Sequence, residues 1–111
     1  MKKIWISLAA IALAWAAGSA WAGADLAAAE KKVNELCGTC HGKDGNTPNT
    51  PDTPKLAGQP ADYLSKALHA YKSGKRKNPI MGGMAGTLSD DEIEGLAQYF
   101  SHQKGDLYTK Y

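Results

Sequence analysis

The chain has 111 residues, 13 of them basic and 11 acidic, for a formal charge of +2. That near balance gives no electrostatic footprint for binding nucleic acid. The length allows one small domain. A domain this size with a single Phe and few large aliphatics buries only a thin core unless something other than side chains fills it.

Met1-Lys2-Lys3 is a short positive start, an apolar run follows from Ile4 to Ala17, and Ala20-Trp21-Ala22 places small residues at both cleavage-determining positions. This is the pattern of a secretory signal peptide over residues 1–22, too short for a comfortable bilayer span. The expected mature domain is residues 23–111. Removing Lys2 and Lys3 from the 13 basic residues leaves 11 against 11 acidic ones, a formal balance of zero.

From Asp25 to about Cys37 the sequence is rich in Ala, Glu and Lys, and Leu26, Ala29, Val33 and Leu36 fall at helical spacing. The spacing predicts a first helix that ends at Cys37-Gly38-Thr39-Cys40-His41. C-x-x-C-H is the attachment sequence for a c-type haem: the two thiols add to the two vinyl groups of the porphyrin and the adjacent imidazole binds the iron. An apolar macrocycle would also fill the thin core.

The same two cysteines admit a dithiol redox motif, a disulfide or half of a zinc site. The dithiol reading needs a strand-rich setting, yet beyond residue 22 the only Val and Ile residues are Val33, Ile80 and Ile93. Zinc needs two further placed ligands, and His69 and His102 lie far from the motif and from each other. Haem attachment is the reading that uses all three side chains. Such sequences are loaded with haem outside the cytoplasm, where free cysteines would otherwise pair, so the expected location is the periplasm of a Gram-negative bacterium.

Residues 42–59 carry a Thr-Pro triplet repeat (Thr47-Pro48, Thr50-Pro51, Thr53-Pro54) that neither helix nor strand tolerates. This long loop is expected to wrap the haem edge on the His41 side. Pro60 suits the first turn of a second helix running to about Ser73, with Leu64, Ala67, Leu68 and Tyr71 on one stripe and Gly74 as its stop. His69 falls off that stripe and reads as a surface histidine. Lys72, Lys75, Arg76 and Lys77 form a basic cluster that is either a solvated helix end or a docking patch.

Asn78-Pro79-Ile80-Met81-Gly82-Gly83-Met84-Ala85-Gly86 reads as a loop with two thioethers among glycines. A soft thioether is a natural sixth ligand to a histidine-ligated haem and raises its potential; chemistry alone admits both Met81 and Met84. The last helix is announced by a capping box, Ser89 with Glu92, and by the Leu88–Ile93 staple, with Ile93, Leu96, Ala97 and Phe100 on its buried face. His102 near its end reads as a favourable charge for the helix terminus.

Taken together, the helix ending in C-x-x-C-H-G, Asp44-Gly45-Asn46, Pro54-Lys55-Leu56-Ala57-Gly58-Gln59, Asn78-Pro79-Ile80-Met81 and Leu88-Ser89-Asp90 resemble the class I cytochromes c. The likeness is to the single-domain bacterial c-553 type and to one half of the dihaem cytochrome c4. The resemblance implies an all-α fold of three main helices plus loops enclosing one covalently attached haem c, with the first and last helices crossing. It implies thioether attachment at Cys37 and Cys40, His41 as proximal ligand, Met81 in preference to Met84 as distal ligand, and the Pro54 carbonyl as acceptor for the proximal imidazole N–H. Thr53 departs from the pattern, standing where an aromatic residue often precedes that proline.

The function that follows is single-electron transfer without catalysis, between a donor and an acceptor protein that dock transiently. A haem subunit of a larger oxidoreductase is a variant of it. A haem enzyme or gas sensor with a labile distal ligand is the competing class, and no His, Arg or carboxylate lies between Pro79 and Thr87 to serve one.

Overall fold

A computed structural model describes residues 25–107 of the chain. The expected signal peptide, residues 1–22, lies outside them. All regular structure among the described residues is helical, and none of these helices is long and apolar enough to cross a membrane.

Asp25 caps α1 (Leu26–Lys32) by accepting from the Ala28 N–H. The chain does not stop at the cysteine motif as the sequence suggests. It passes through a π-helical turn (Val33–Cys37), in which the Gly38 N–H bonds the Val33 carbonyl, and continues as α2 (Gly38–His41). Gly42, at φ 84°, ends it. Along this stretch Ala29, Val33 and His41 are buried and Cys37 is half-buried, at intervals of four residues.

Residues 42–60 hold neither helix nor strand, as the prolines require. The loop is anchored at Gly45, whose carbonyl accepts from Leu56 N (2.7 Å) and Ala57 N (3.1 Å). Gly45 has φ 71°, and a Cβ there would stand 2.7 Å from Phe100 Cδ1. Both the backbone angle and the approach to the ring therefore demand glycine. Two ties to the last helix complete the anchoring: Gly58 N–H donates to the Phe100 carbonyl (3.0 Å) and Tyr99 OH to the Lys43 carbonyl (2.9 Å).

α3 (Ala61–Ser73) stops at Gly74, as expected, and starts one residue later than expected, with Pro60 as its N-cap and not in its first turn. The segment expected to be a loop is instead α4 (Pro79–Gly86). Three glycines argue against helix here. Asn78 offsets them by accepting from both Ile80 N and Met81 N at 3.0 Å, and Pro79 has its φ already set for the first helical position. α5 (Asp90–Ser101) opens with the expected capping box: Ser89 Oγ accepts from Glu92 N at 3.1 Å, and Glu92 Oε1 accepts from Ser89 N at 3.0 Å.

α1 crosses α5, and α3 packs on both α5 and α4. At the crossing, a Cβ on Gly95 would lie 3.5 Å from Ala29 Cβ, so two small residues set the closeness of the helices. Across it Lys32 Nζ meets Glu92 Oε2 at 2.9 Å. The core joins Val33, Leu64, Leu88, Ile93, Leu96, Ala97 and Phe100, with Leu36, Leu56, Leu68 and Tyr99 at its margin. Each fully buried aliphatic or Phe side chain there contributes about 1.5–3 kcal/mol, and the list is short, which is the thin core that the composition implied.

Candidate haem site

His41 is buried, 6% exposed, and is the one buried polar or charged side chain among the described residues. Its Nδ1 lies 2.8 Å from the carbonyl oxygen of Pro54. A carbonyl only accepts, so Nδ1 carries a proton and donates, and Nε2 is the ring nitrogen left out of that contact. A backbone contact thus fixes both tautomer and ring orientation, the role such outer partners play for metal-binding histidines. The loop brings that carbonyl 13 residues back to the ring. Thr53, before the proline, hydrogen-bonds Thr50 Oγ1 (2.8 Å) and Asn49 Oδ1 (3.4 Å), so a hydroxyl network stabilises the bend.

Cys37 closes the π-turn and Cys40 sits in α2; both are half-buried and neither is in a disulfide. Three residues apart on helical backbone, they lie on neighbouring positions of one face, beside His41. Burial pushes the Cys37 thiol up to about 11, with Lys32 opposing weakly. A dithiol redox motif works through a thiol pKa held low, and the buried setting of Cys37 is the opposite of that. The neighbouring loop leaves Asn46 Oδ1 buried with no partner among the described residues, although buried acceptors are ordinarily paired.

The donor set fits a covalently attached haem: two unpaired thiols on one face, an imidazole with one nitrogen held and the other free, and a domain short of core. Cys37, Cys40 and His41 would hold it on this side. Met81 and Met84 both lie on α4, half-buried and one turn apart. Residues at this spacing share a helical face, so the helix offers either thioether and the geometry does not separate them.

The other histidines lie elsewhere. His69 is on α3, 41% exposed, with Nδ1 3.7 Å from Asp90 and Nε2 3.4 Å from Glu94 on α5. His102 caps α5, its Nδ1 2.7 Å from the Gln98 carbonyl. Neither joins His41.

Two contributors escaped the sequence reading. Asn78 fixes the backbone of Met81, and the Asn-Pro pair was its signal, since Asn is a preferred cap and Pro a preferred first helical residue. Gly45 holds the loop against Phe100, a contact across 55 residues that no local signal reveals.

Residues 24–100 match the family model described as cytochrome C oxidase, cbb3-type, subunit III. The chain is 46% identical over 104 residues to cytochrome c4 of Pseudomonas aeruginosa, a match covering 94% of this chain and 50% of that protein. It is 42% identical over 83 residues to cytochrome c-554(548) of Halomonas halodenitrificans, covering 72% of this chain and 98% of that one. The crystal structure of reduced recombinant cytochrome c4 from Pseudomonas stutzeri superposes with a TM-score of 0.66 at 44% identity, over 75% of this chain and 47% of that one. The chain therefore spans about half the length of the cytochromes c4 it matches and nearly all of the c-554(548).

Proposed function

Since the chain belongs to the class I c-type cytochromes, we propose that it is a periplasmic single-electron carrier with one haem c, exported by residues 1–22. The haem, when bound, takes up one electron and gives it back. Cys37 and Cys40 would fasten it, His41 would ligate through Nε2, and Met81 would supply the distal thioether. Its partners are a donor and an acceptor protein that dock in turn. The chain works as an electron-transfer protein and not as an enzyme.

The observation that carries this reading is the buried His41 with Nδ1 donated to the Pro54 carbonyl, next to two unpaired thiols. An imidazole held in that orientation presents Nε2 as a fixed donor. Met81 as a second donor would supply a soft thioether that favours the reduced state. That combination suits passing electrons and does not suit binding a substrate at iron.

The test is the absorption spectrum of the protein matured with haem in a bacterial periplasm, oxidised, reduced, and reduced under carbon monoxide. A low-spin spectrum with the weak long-wavelength thioether-to-iron band and no response to carbon monoxide is expected. Met81→Ala removes that band, whereas Met84→Ala keeps it. A high-spin or carbon monoxide-sensitive protein would sink the carrier reading in favour of a sensor or enzyme, and free thiols in the purified protein would sink haem attachment itself.

A further inference from the structure

α5 ends at Ser101, and the chain does not leave the domain there. Gln103 turns it back: its N–H donates to the Phe100 carbonyl at 3.1 Å, and its side-chain Nε2 donates to the Tyr99 carbonyl at 3.3 Å. The Phe100 carbonyl also accepts from the Gly58 N–H at 3.0 Å, so one oxygen joins the end of the last helix to the loop that follows Pro54. Residues 103–107 then run against that loop.

At two points the approach is backbone to backbone. A Cβ on Gly105 would stand 2.9 Å from both the carbonyl oxygen and the Cβ of Ala57, and one on Gly58 would stand 2.6 Å from the Leu107 carbonyl oxygen. Contacts this close leave no room for a side chain, and Ala57 is fully buried. Beside them Lys55 Nζ meets Asp106 Oδ2 at 3.1 Å, with the two side chains 39% and 80% exposed. An ion pair so open to water is a weak fastening, and the glycine seat is the stronger one.

Lys55 immediately follows the residue whose carbonyl accepts from His41 Nδ1. Upstream of Pro54, the exposed residues 49–52 are tied to the cysteine motif by the Asn49 N–H on the Cys40 carbonyl at 2.9 Å. Downstream the hold is double. The Gly45 carbonyl binds Leu56 and Ala57 from one side, and the C-terminal turn meets Lys55, Ala57 and Gly58 from the other.

We propose that the C-terminal turn, through Gly105 and Asp106, is a strap that holds the Pro54 carbonyl on the imidazole and so sets how strongly His41 donates. Both are positioning residues, since they act on the ring through residues 54–57. The proposal rests on the carrier reading, in which His41 is the proximal ligand. A steadier acceptor on Nδ1–H makes the ring more basic, and a more basic ligand favours oxidised iron. The strap therefore lowers the potential that a distal thioether raises.

The test compares the haem protein with Gly105→Ala, in which the new methyl meets Ala57 and lifts the strap, and with Lys104→Ala at an exposed neighbour. Proton NMR of the reduced protein follows exchange of the His41 Nδ1 proton with deuterium oxide at fixed pH, and redox titration gives the potential. Gly105→Ala is expected to speed that exchange roughly tenfold and to raise the reduced-to-oxidised ratio at fixed applied potential roughly threefold. Lys104→Ala changes neither. Asp106→Lys speeds exchange by less, and adding Lys55→Glu to it restores the original rate because the swapped pair closes again. The swap puts nothing against Ala57, so it serves even where Gly105→Ala folds poorly.

A lower urea midpoint in Gly105→Ala, with the Nδ1 proton and the potential unmoved, would make the turn a stabilising element alone and overturns the proposal. So does a lowered potential, which would report water reaching the site in place of a weaker imidazole. Failure of the carrier reading is seen separately, as a high-spin or carbon monoxide-binding spectrum of the unsubstituted protein before any variant is compared.

Discussion

The two sides of the haem site are built by different means. On the histidine side, backbone carbonyls and N–H groups from distant stretches meet: Pro54 with His41, Gly45 with Leu56 and Ala57, Gly58 with Phe100, and the Tyr99 hydroxyl with Lys43. On the methionine side a short glycine-rich helix is held by one capping asparagine and by packing on α3. Long-range hydrogen bonds over-determine a position, whereas a cap and a packed face leave a segment able to open by itself. With Met81 as the distal ligand proposed above, the difference implies that thermal or chemical stress would release the thioether before it disturbed the imidazole.

Paired glycine substitutions sharpen this contrast most. Gly45→Ala forces a side chain into positive φ and against Phe100, and is expected to cost roughly 3 kcal/mol or more, read by calorimetry. Gly83→Ala on α4 meets nothing within 4 Å. It sits one turn after the exposed Ile80, and is expected to stabilise by about 0.5–1 kcal/mol through the lost helix penalty of glycine. Equal effects at the two positions would erase the distinction between the sides.

Asn78→Ala tests the methionine side from the other direction. Losing this cap costs about 1 kcal/mol, and the loss is local: the long-wavelength thioether band disappears at lower urea while the helical signal unfolds where it did before. Parallel loss of both signals would mean that α4 is not an independent unit.

The smallest effect is electrostatic. The N–H of Ser89 and the Lys32 ammonium hold the Glu92 carboxyl down to about 2, from an ordinary 4.5. A depressed carboxyl stabilises the fold when ionised, so its contribution is complete above about 4.5 and is lost as pH falls toward about 2. Glu92→Gln keeps a neutral acceptor for the cap but loses the charge. The variant's deficit in urea midpoint should be present at neutral pH and shrink in that acid window, most visibly at low salt.

What could be read beforehand follows the range of the forces involved. Cys37, Cys40 and His41 are contiguous, and the Ser89–Glu92 box, Gly74 and the buried face of α5 obey rules spanning one or two turns, so the sequence states them directly. α4 reads as a loop in the sequence because its glycines outweigh its cap in any count of propensity, although Asn78 binds two N–H groups at once. The Gly45–Phe100 approach and the Tyr99–Lys43 tie depend on chain reversal over more than fifty residues, and nothing local announces them. Pro54 came from the family likeness, and the structure puts its carbonyl on His41.

The π-turn that closes at Cys37 sets the rotational phase of the motif. In a regular α-helix a four-residue step overshoots one turn by about 40°, so Ala29, Val33, Cys37 and His41 would fan across about 120°. A turn that takes more residues to close gives back part of that overshoot just before Cys37. The end of the helix that crosses α5 and the end that carries the imidazole are thereby kept on one bearing. Removing a single residue between Val33 and Cys37 would leave every side chain of the motif present yet swing it by about 100°, away from the carbonyl that orients it.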